Sequence, residues 1–352
     1  VKPATEAARA RRDGRLLVVD ASGRIAHHPR GALPEVLRGA RGDRGGDLLV
    51  VNDSGTLPAS LRGTHLRTGA SIEVRLAARL TLDAREIRAW RAIVLGEGDW
   101  RARTEDRPAP PALRPGDRLA LGTTLRAEIA DLDGHPRLVL LTFEGTARDV
   151  WEGIAREGAP VQYSHLRAPL ALWDAQTAIA GPPVSVEPPS AGFVLDHAML
   201  DRLVARGVEI AMLTHAAGLS SSGDAKLDAR FPLPEPYTIP DATARAIRRA
   251  RREGRRVVAL GTTVVRALES AAAYDGEVHA GPGIATLRLG PERPPRVVDA
   301  IVSGMHEPGT SHHALLEGFA PRARLLDAAR EAEERGYLAH EFGDACLVER
   351  AA

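Results

Sequence analysis

Residues 257–270 read VVALGTTVVRALES and join two different periodicities in one short stretch. Val257 to Leu260 is a continuous apolar run with the length and β-branched content of a buried strand. Gly261-Thr262-Thr263 then gives a tight turn and two hydroxyls at the start of a helix, which the spacing carries through Val264 to Ala273. A buried strand feeding a helix through a glycine turn is half of a strand–helix–strand unit, and the next apolar run, Val297 to Val302, supplies the returning strand.

The same alternation extends in both directions. Upstream, Asp241 to Glu253 reads as a helix stopped by Gly254, Val208 to Leu213 as a strand, and Asp196 to Arg206 as a helix ended by Gly207. Near the N-terminus, Leu16 to Asp20 and Asp47 to Val51 read as further buried strands. Between Leu66 and Thr146 the texture changes to short alternating apolar runs punctuated by Gly96, Gly98, Gly116, Gly122, Gly134 and Gly145, the pattern of a small β-barrel or sandwich. The expected fold is therefore α/β, a mostly parallel sheet with crossover helices, interrupted by a small inserted β-barrel domain. In domain terms, residues 1–64 and 147–352 form a discontinuous α/β domain and 65–146 the insertion.

Composition narrows the functional classes. With 352 residues, 44% of them hydrophobic, the chain can bury two cores. Lys+Arg at 47 against Asp+Glu at 46 leaves a formal charge of +1, so a polyanion would need a local patch rather than a global field. Arg248, Arg249, Arg251, Arg252, Arg255 and Arg256 form a basic run, which on a helix end is usually a solvated face. One cysteine, Cys346, excludes an internal disulfide and a cysteine-rich zinc site and favours the cytoplasm. The N-terminal VKPATEAARARRDGR has no secretory apolar core and no run is long enough to span a bilayer, so membrane association is not expected.

In open α/β sheets ligands gather beyond the carboxyl ends of the strands. Four such ends are polar here: Asn52-Asp53-Ser54, Thr214-His215 running on to Gly223, Gly261-Thr262-Thr263, and Ser303-Gly304-Met305-His306-Glu307-Pro308. Each also has an ordinary reading. Asn-Asp-Ser is common turn chemistry, and a threonine at a helix start is a common cap. FPLPEPYTIP, residues 231–240, reads as a rigid connection and Gly281-Pro282-Gly283 as a loop, while Arg266, Glu269 and Arg296 fit a surface ion pair. His215, His306, His312 and His313 lack the helical spacing of a metal site, so no metal is expected; no dinucleotide or P-loop fingerprint is present.

Taken in order, VNDSGTLPA at 51–59, Gln176-Thr177, PPSAG at 188–192, the Val258–Ser270 segment, Val297-Val298-Asp299-Ala300, His306-Glu307-Pro308 and Phe342-Gly343-Asp344-Ala345 resemble the S-adenosylmethionine:tRNA ribosyltransferase-isomerase family, whose members make epoxyqueuosine in tRNA. The resemblance implies an α/β domain interrupted by a β-barrel. It also implies S-adenosylmethionine as co-substrate: the sulfonium acidifies the neighbouring 5′ carbon, adenine leaves, an amine on a deazaguanine attacks the sugar, and methionine departs as an epoxide closes. No prosthetic group or metal is implied. On this resemblance Asp53, Glu235, Asp344, His215 and His306 are the catalytic candidates. Asn52, Ser54, Gln176, Thr177, Ser190, Ala191, Gly192, Thr262, Thr263, Arg266 and Tyr237 are the candidates for holding S-adenosylmethionine.

The acceptor side departs from the family pattern. Gly55 follows Ser54 where an arginine is usual, and the histidine of the Thr-Leu-His-x-Gly segment stands one place early, at His215. The histidine-rich segment before Glu235 and Tyr237 is absent, Thr-Asn-Phe-His-Leu-Pro has become Ser303 to Pro308, and Tyr-Gly-Asp has become Phe342-Gly343-Asp344. Three functions are compatible with this: transfer to tRNA, the same or a related elimination or rearrangement on a small-molecule acceptor, and a catalytically inactive S-adenosylmethionine-binding protein. Oligomeric state is left open.

Overall fold

The computed structural model describes residues 1–7, 13–40 and 45–351; residues 8–12 of the N-terminal stretch read above lie outside them. Nine strands form the main sheet: β1 (Arg15–Val19), β2 (Ile25–Pro29), β3 (Leu48–Asn52), β10 (Glu209–His215), β11 (Glu235–Ile239), β12 (Val257–Leu260), β13 (Gly281–Ala285), β14 (Ala300–Gly304) and β15 (Ala345–Glu349). The barrel supplies the intervening β4 (Ser60–His65), β5 (Ala70–Arg79), β6 (Ala89–Leu95), β7 (Arg118–Leu121), β8 (Leu125–His135) and β9 (Leu138–Phe143). The main sheet runs β13-β11-β10-β3-β12-β14-β15-β1-β2. Its centre, β10-β3-β12-β14, is parallel, as is the pair β15-β1, whereas β13, β11, β15 against β14, and β2 pair antiparallel.

Residue alternation explains why this sheet is covered on both faces. Leu48 and Val50 of β3 join a core with helices α3 (Asp241–Arg252), α4 (Thr262–Ala271) and α5 (Arg322–Glu334). Leu49 and Val51 point the other way, to a core with Met199 and Leu203 of α2 (His197–Ala205). Among the described residues no helix is long and apolar enough to cross a membrane.

The six barrel strands close in the order β8-β9-β6-β5-β4-β7. The barrel begins at Ser60 rather than at 65, because β4 pairs with both β5 and β7 and without it the barrel stays open. Its core also reaches beyond the insertion, taking in Leu57 and Ala59 before it, Val150 and Ile154 of α1 (Ala147–Glu157) after it, and Leu219, Leu227, Phe231 and Leu233 much later in the chain.

Several local readings change. The strand expected from Val297 starts at Ala300, because the backbone N–H groups of Arg296, Val297 and Val298 donate to the Glu269 carboxylate at 2.9, 2.9 and 3.1 Å instead of to a neighbouring strand. Glu269 is thus buried and structural, not half of a surface pair. The proline-rich connection contains β11, with Ala216 N–H donating to Pro236 O at 3.0 Å, and the Gly281-Pro-Gly loop is the edge strand β13. Gly283 is required there, since a Cβ at this position would lie 2.4 Å from the Tyr237 hydroxyl.

Candidate active site

The polar ends of β3, β10 and β12 converge through one amide. Asn52 accepts from the backbone N–H groups of Ser54 (3.1 Å) and His215 (3.0 Å). It donates to His215 O at 2.9 Å and to Thr263 Oγ1 at 3.4 Å. Three strand ends that lie apart in sequence are thereby fixed in one frame, which is a scaffolding use of a buried amide. Ser54 is also buried, its hydroxyl 2.6 Å from Ser185 Oγ. Gly261, at φ 96°, opens α4, and a Cβ there would lie 3.3 Å from the Ala191 Cβ. That contact brings the turn Ser190–Val194 against the start of the helix. Gly192 in turn abuts Thr177, whose buried hydroxyl lacks a hydrogen-bond partner. Asn52, Asp53, Ser190 to Gly192, Thr262 and Thr263 are therefore neighbours around one edge of the sheet.

Three candidate carboxylates meet three environments. Asp53 is half-buried and accepts from Thr214 Oγ1 at 2.7 Å; burial raises its carboxyl above the usual carboxylate value, against that hydrogen bond. Glu235 is buried beside β10. Burial alone would raise it, but the Arg266 guanidinium, His215 Nε2 at 2.8 Å and the Gly218 N–H at 2.6 Å hold it down to about 2. Asp344 is buried and accepts from the backbone N–H of Arg15 at 2.9 Å and of Leu338 at 2.8 Å, bracing the entry to β15 against β1.

His215 lies on the same face of β10 as Ala211 and Leu213, whereas Thr214 on the opposite face reaches Asp53. This places His215 against Glu235 and Arg266, its Nδ1 buried with no hydrogen-bond partner. Arg266 is buried within this cluster and not on the surface, also donating to Ala285 O at 2.9 Å. Tyr237 packs near the same ring, centroids 6.4 Å apart. Gln176 clamps Thr56 from both sides, accepting its N–H at 3.0 Å and donating to its carbonyl at 2.9 Å.

His306 stacks on His312 at 4.7 Å, with its Nε2 2.8 Å from Ser303 Oγ. Burial and the neighbouring imidazoles keep His306 well below the ordinary histidine range. His312 is lowered too, by burial first, although it feels the charges of Glu235 and Arg266. The histidine at the end of β14 and the β10–β11 cluster thus belong to one electrostatic neighbourhood.

Residues that sequence reasoning passed over complete this neighbourhood. Glu187 is buried, receives a 2.5 Å hydrogen bond from the Tyr163 hydroxyl, and is pushed up to about 7 by burial and by Glu341. Glu187 stands directly before PPSAG, and that adjacency was the available signal. Tyr163 and His165 carry no local motif, whereas His340 and Glu341 stand directly before Phe342-Gly343-Asp344-Ala345 and had the same kind of signal.

A cleft of about 1720 Å³ opens elsewhere, between the β1–β2 edge and the segment from Leu172 to Met199. Gln176 and Thr177 reach it, but Asp53, His215, Glu235 and His306 do not. A second cavity of about 550 Å³ is bordered by His306 and α5. Convergence of titratable groups, more than cavity size, marks the chemically competent region.

A family model described as queuosine biosynthesis protein matches residues 2–348. An S-adenosylmethionine:tRNA ribosyltransferase-isomerase of Thermus thermophilus is 36% identical over 343 residues, covering 95% of this chain and 92% of the relative. One of Gloeobacter violaceus is 35% identical over 349 residues, covering 98% and 92%. Among solved structures, an S-adenosylmethionine tRNA ribosyltransferase of Thermotoga maritima superposes with a TM-score of 0.50 at 26% identity, covering 98% of this chain and 95% of the other.

Proposed function

Since the chain belongs to the queuosine biosynthesis protein family, we propose that it is a transferase-isomerase that uses S-adenosylmethionine as ribosyl donor and releases adenine and methionine. The observation that carries this reading is the junction at Asn52, which ties the ends of β3, β10 and β12 together beside the Ser190–Val194 turn. The donor binds there, held by Asn52, Asp53, Ser190 to Gly192, Thr262 and Thr263.

Within that site Asp53 is the base that removes the proton next to the sulfonium. A base needs a lone pair, access and a pKa not too far below the working pH. Asp53 is half-buried with a raised pKa; Glu235 is held ionised and weakly basic by Arg266; Asp344 is spent on backbone N–H groups. Glu235 positions His215, which together with Arg266 walls the pocket. The enzyme works in the cytoplasm.

The relatives' names carry tRNA as acceptor. A second reading, transfer to a small-molecule acceptor, rests on the buried carboxylates Glu187 and Glu341, which feel one another's charge in a region where a polyphosphate would need cations. Incubation with S-adenosylmethionine, with and without deazaguanine-containing tRNA, separates these. Adenine and methionine release only with tRNA supports the family acceptor, and release with small amines supports the second reading. Binding without release under any condition identifies a protein that has lost turnover. Absence of binding at millimolar donor, with the protein folded, removes the proposal altogether.

A further inference from the structure

The loop after α1 and the turn before β15 bring two imidazoles and a carboxylate to one point. One ligand atom each from His165, His340 and Glu341 lies within 4.8 Å of the other two. We propose that these three residues form a binding site for one divalent transition-metal ion, a property separate from ribosyl transfer.

The donor set selects the class of ion. Imidazole suits zinc and its first-row neighbours, whereas magnesium and calcium take oxygen ligands almost exclusively. Two histidines with one carboxylate leave at least one coordination position for water or an acceptor.

The orientation of the donors supports a shared cation over a simple acid–base pair. His165 Nε2 and Glu341 Oε2 pair at 3.3 Å, and both atoms are buried with no other hydrogen-bond partner. Two buried donor atoms left to each other alone are incompletely satisfied, and a cation held between them would take a lone pair from both. His340 provides an independent sign. Its φ is 67°, the only positive value at a non-glycine among the described residues, and such conformations persist where something requires them. Here the turn places the His340 ring 4.8 Å from that of His165.

Outer contacts fit the same assignment. Glu307 Oε1 lies 3.6 Å from His340 Nε2, leaving Nδ1 for coordination, and Tyr163 stacks on the His165 ring at 6.2 Å. A carboxylate on the far nitrogen of a ligating histidine is the usual means of fixing its tautomer and orientation. The ion would link the loop after α1 to the turn at His340, two segments distant in sequence. Sequence spacing could not reveal it, because no two of the histidines stand at helical intervals.

The test uses tag-free, full-length protein freed of metal by chelation, titrated with zinc chloride by calorimetry and with cobalt(II) by visible absorption. One ion per chain is expected. H165A and E341Q should each weaken zinc binding at least tenfold, and H279A, which alters an exposed histidine paired with Asp275, should leave it unchanged. H340G guards against unfolding as the explanation. Glycine suits φ 67°, so its melting temperature should hold or rise while zinc affinity falls at least tenfold. Absence of stoichiometric binding by either ion overturns the proposal, as does affinity unaltered in H165A, E341Q and H340G. S-adenosylmethionine turnover plays no part in these readings.

Discussion

The two carboxylates Asp53 and Glu187 show how different degrees of burial set different tasks. For Asp53 the expected consequence is catalytic. D53N should lower turnover more than tenfold, about 1.4 kcal/mol in barrier, with donor binding changed far less. The wild-type rate should rise with pH through the elevated Asp53 pKa, because only the deprotonated form accepts the proton. Rates at saturating S-adenosylmethionine, measured across pH for both proteins, check this; an unaffected D53N would return the base role to another group. For Glu187 the consequence is one of stability. Its pKa rises from an ordinary 4.5 to about 7 on folding, so its contribution is fully present below pH 4.5 and lost as pH climbs through 7. The difference amounts to roughly 3 kcal/mol. Urea melts of metal-free protein at pH 5 and 8 should show the wild type losing stability relative to E187Q, which carries no titrating carboxyl at this position.

At the scale of elements, the Gly261 turn joins fold and site. A residue with a Cβ would have to adopt φ 96° and press on Ala191. G261A should therefore cost about 1–3 kcal/mol and push the Ser190–Val194 turn away from the start of α4, weakening S-adenosylmethionine binding. Thermal melts and calorimetry on the same samples test both effects. This turn was legible in the sequence because strand, glycine and helix were contiguous in VVALGTTVVRALES. The alternating β region was legible for a similar reason, although its first strand was not: Ser60–His65 is closed by partners on both sides rather than by its own pattern. β11 was hidden because prolines signal connections, and Pro236 is tolerated where its carbonyl, not its missing N–H, makes the bond to Ala216. Of the site, the strand-end polar residues could be read directly. The partnership of His215 with Glu235 and Arg266, and the gathering of Tyr163, Glu187 and Glu341, depend on pairing across distant segments and have no local period.

For the whole molecule, the arginine run at the end of α3 is absorbed by the fold. Arg249 and Arg255 pair with Glu209, Arg256 with Asp47 and Glu349, and Arg248 and Arg251 donate to backbone carbonyls. Of the run, Arg252 alone has no such partner among the described residues, so most of these groups are already engaged and few are left to neutralise phosphates. Binding of deazaguanine-containing tRNA should accordingly be weak, with log K falling against log salt by about 0.7–0.9 for each phosphate contact made. R256A should lower stability by about 3–5 kcal/mol, since Asp47 would be left buried without its cation, and leave tRNA affinity unchanged. Nanomolar tRNA binding at physiological salt, or a marked loss of affinity in R256A, would place the acceptor surface on this helix. The position of β15 has a further consequence, in the order of synthesis. It pairs with β14 on one side and with β1 on the other, so β1 and β2, made first, join the remaining strands only through a segment made more than three hundred residues later. On the ribosome β1 lacks its partner on that side until Glu349 has emerged, with Leu17 uncovered by β15 for most of synthesis.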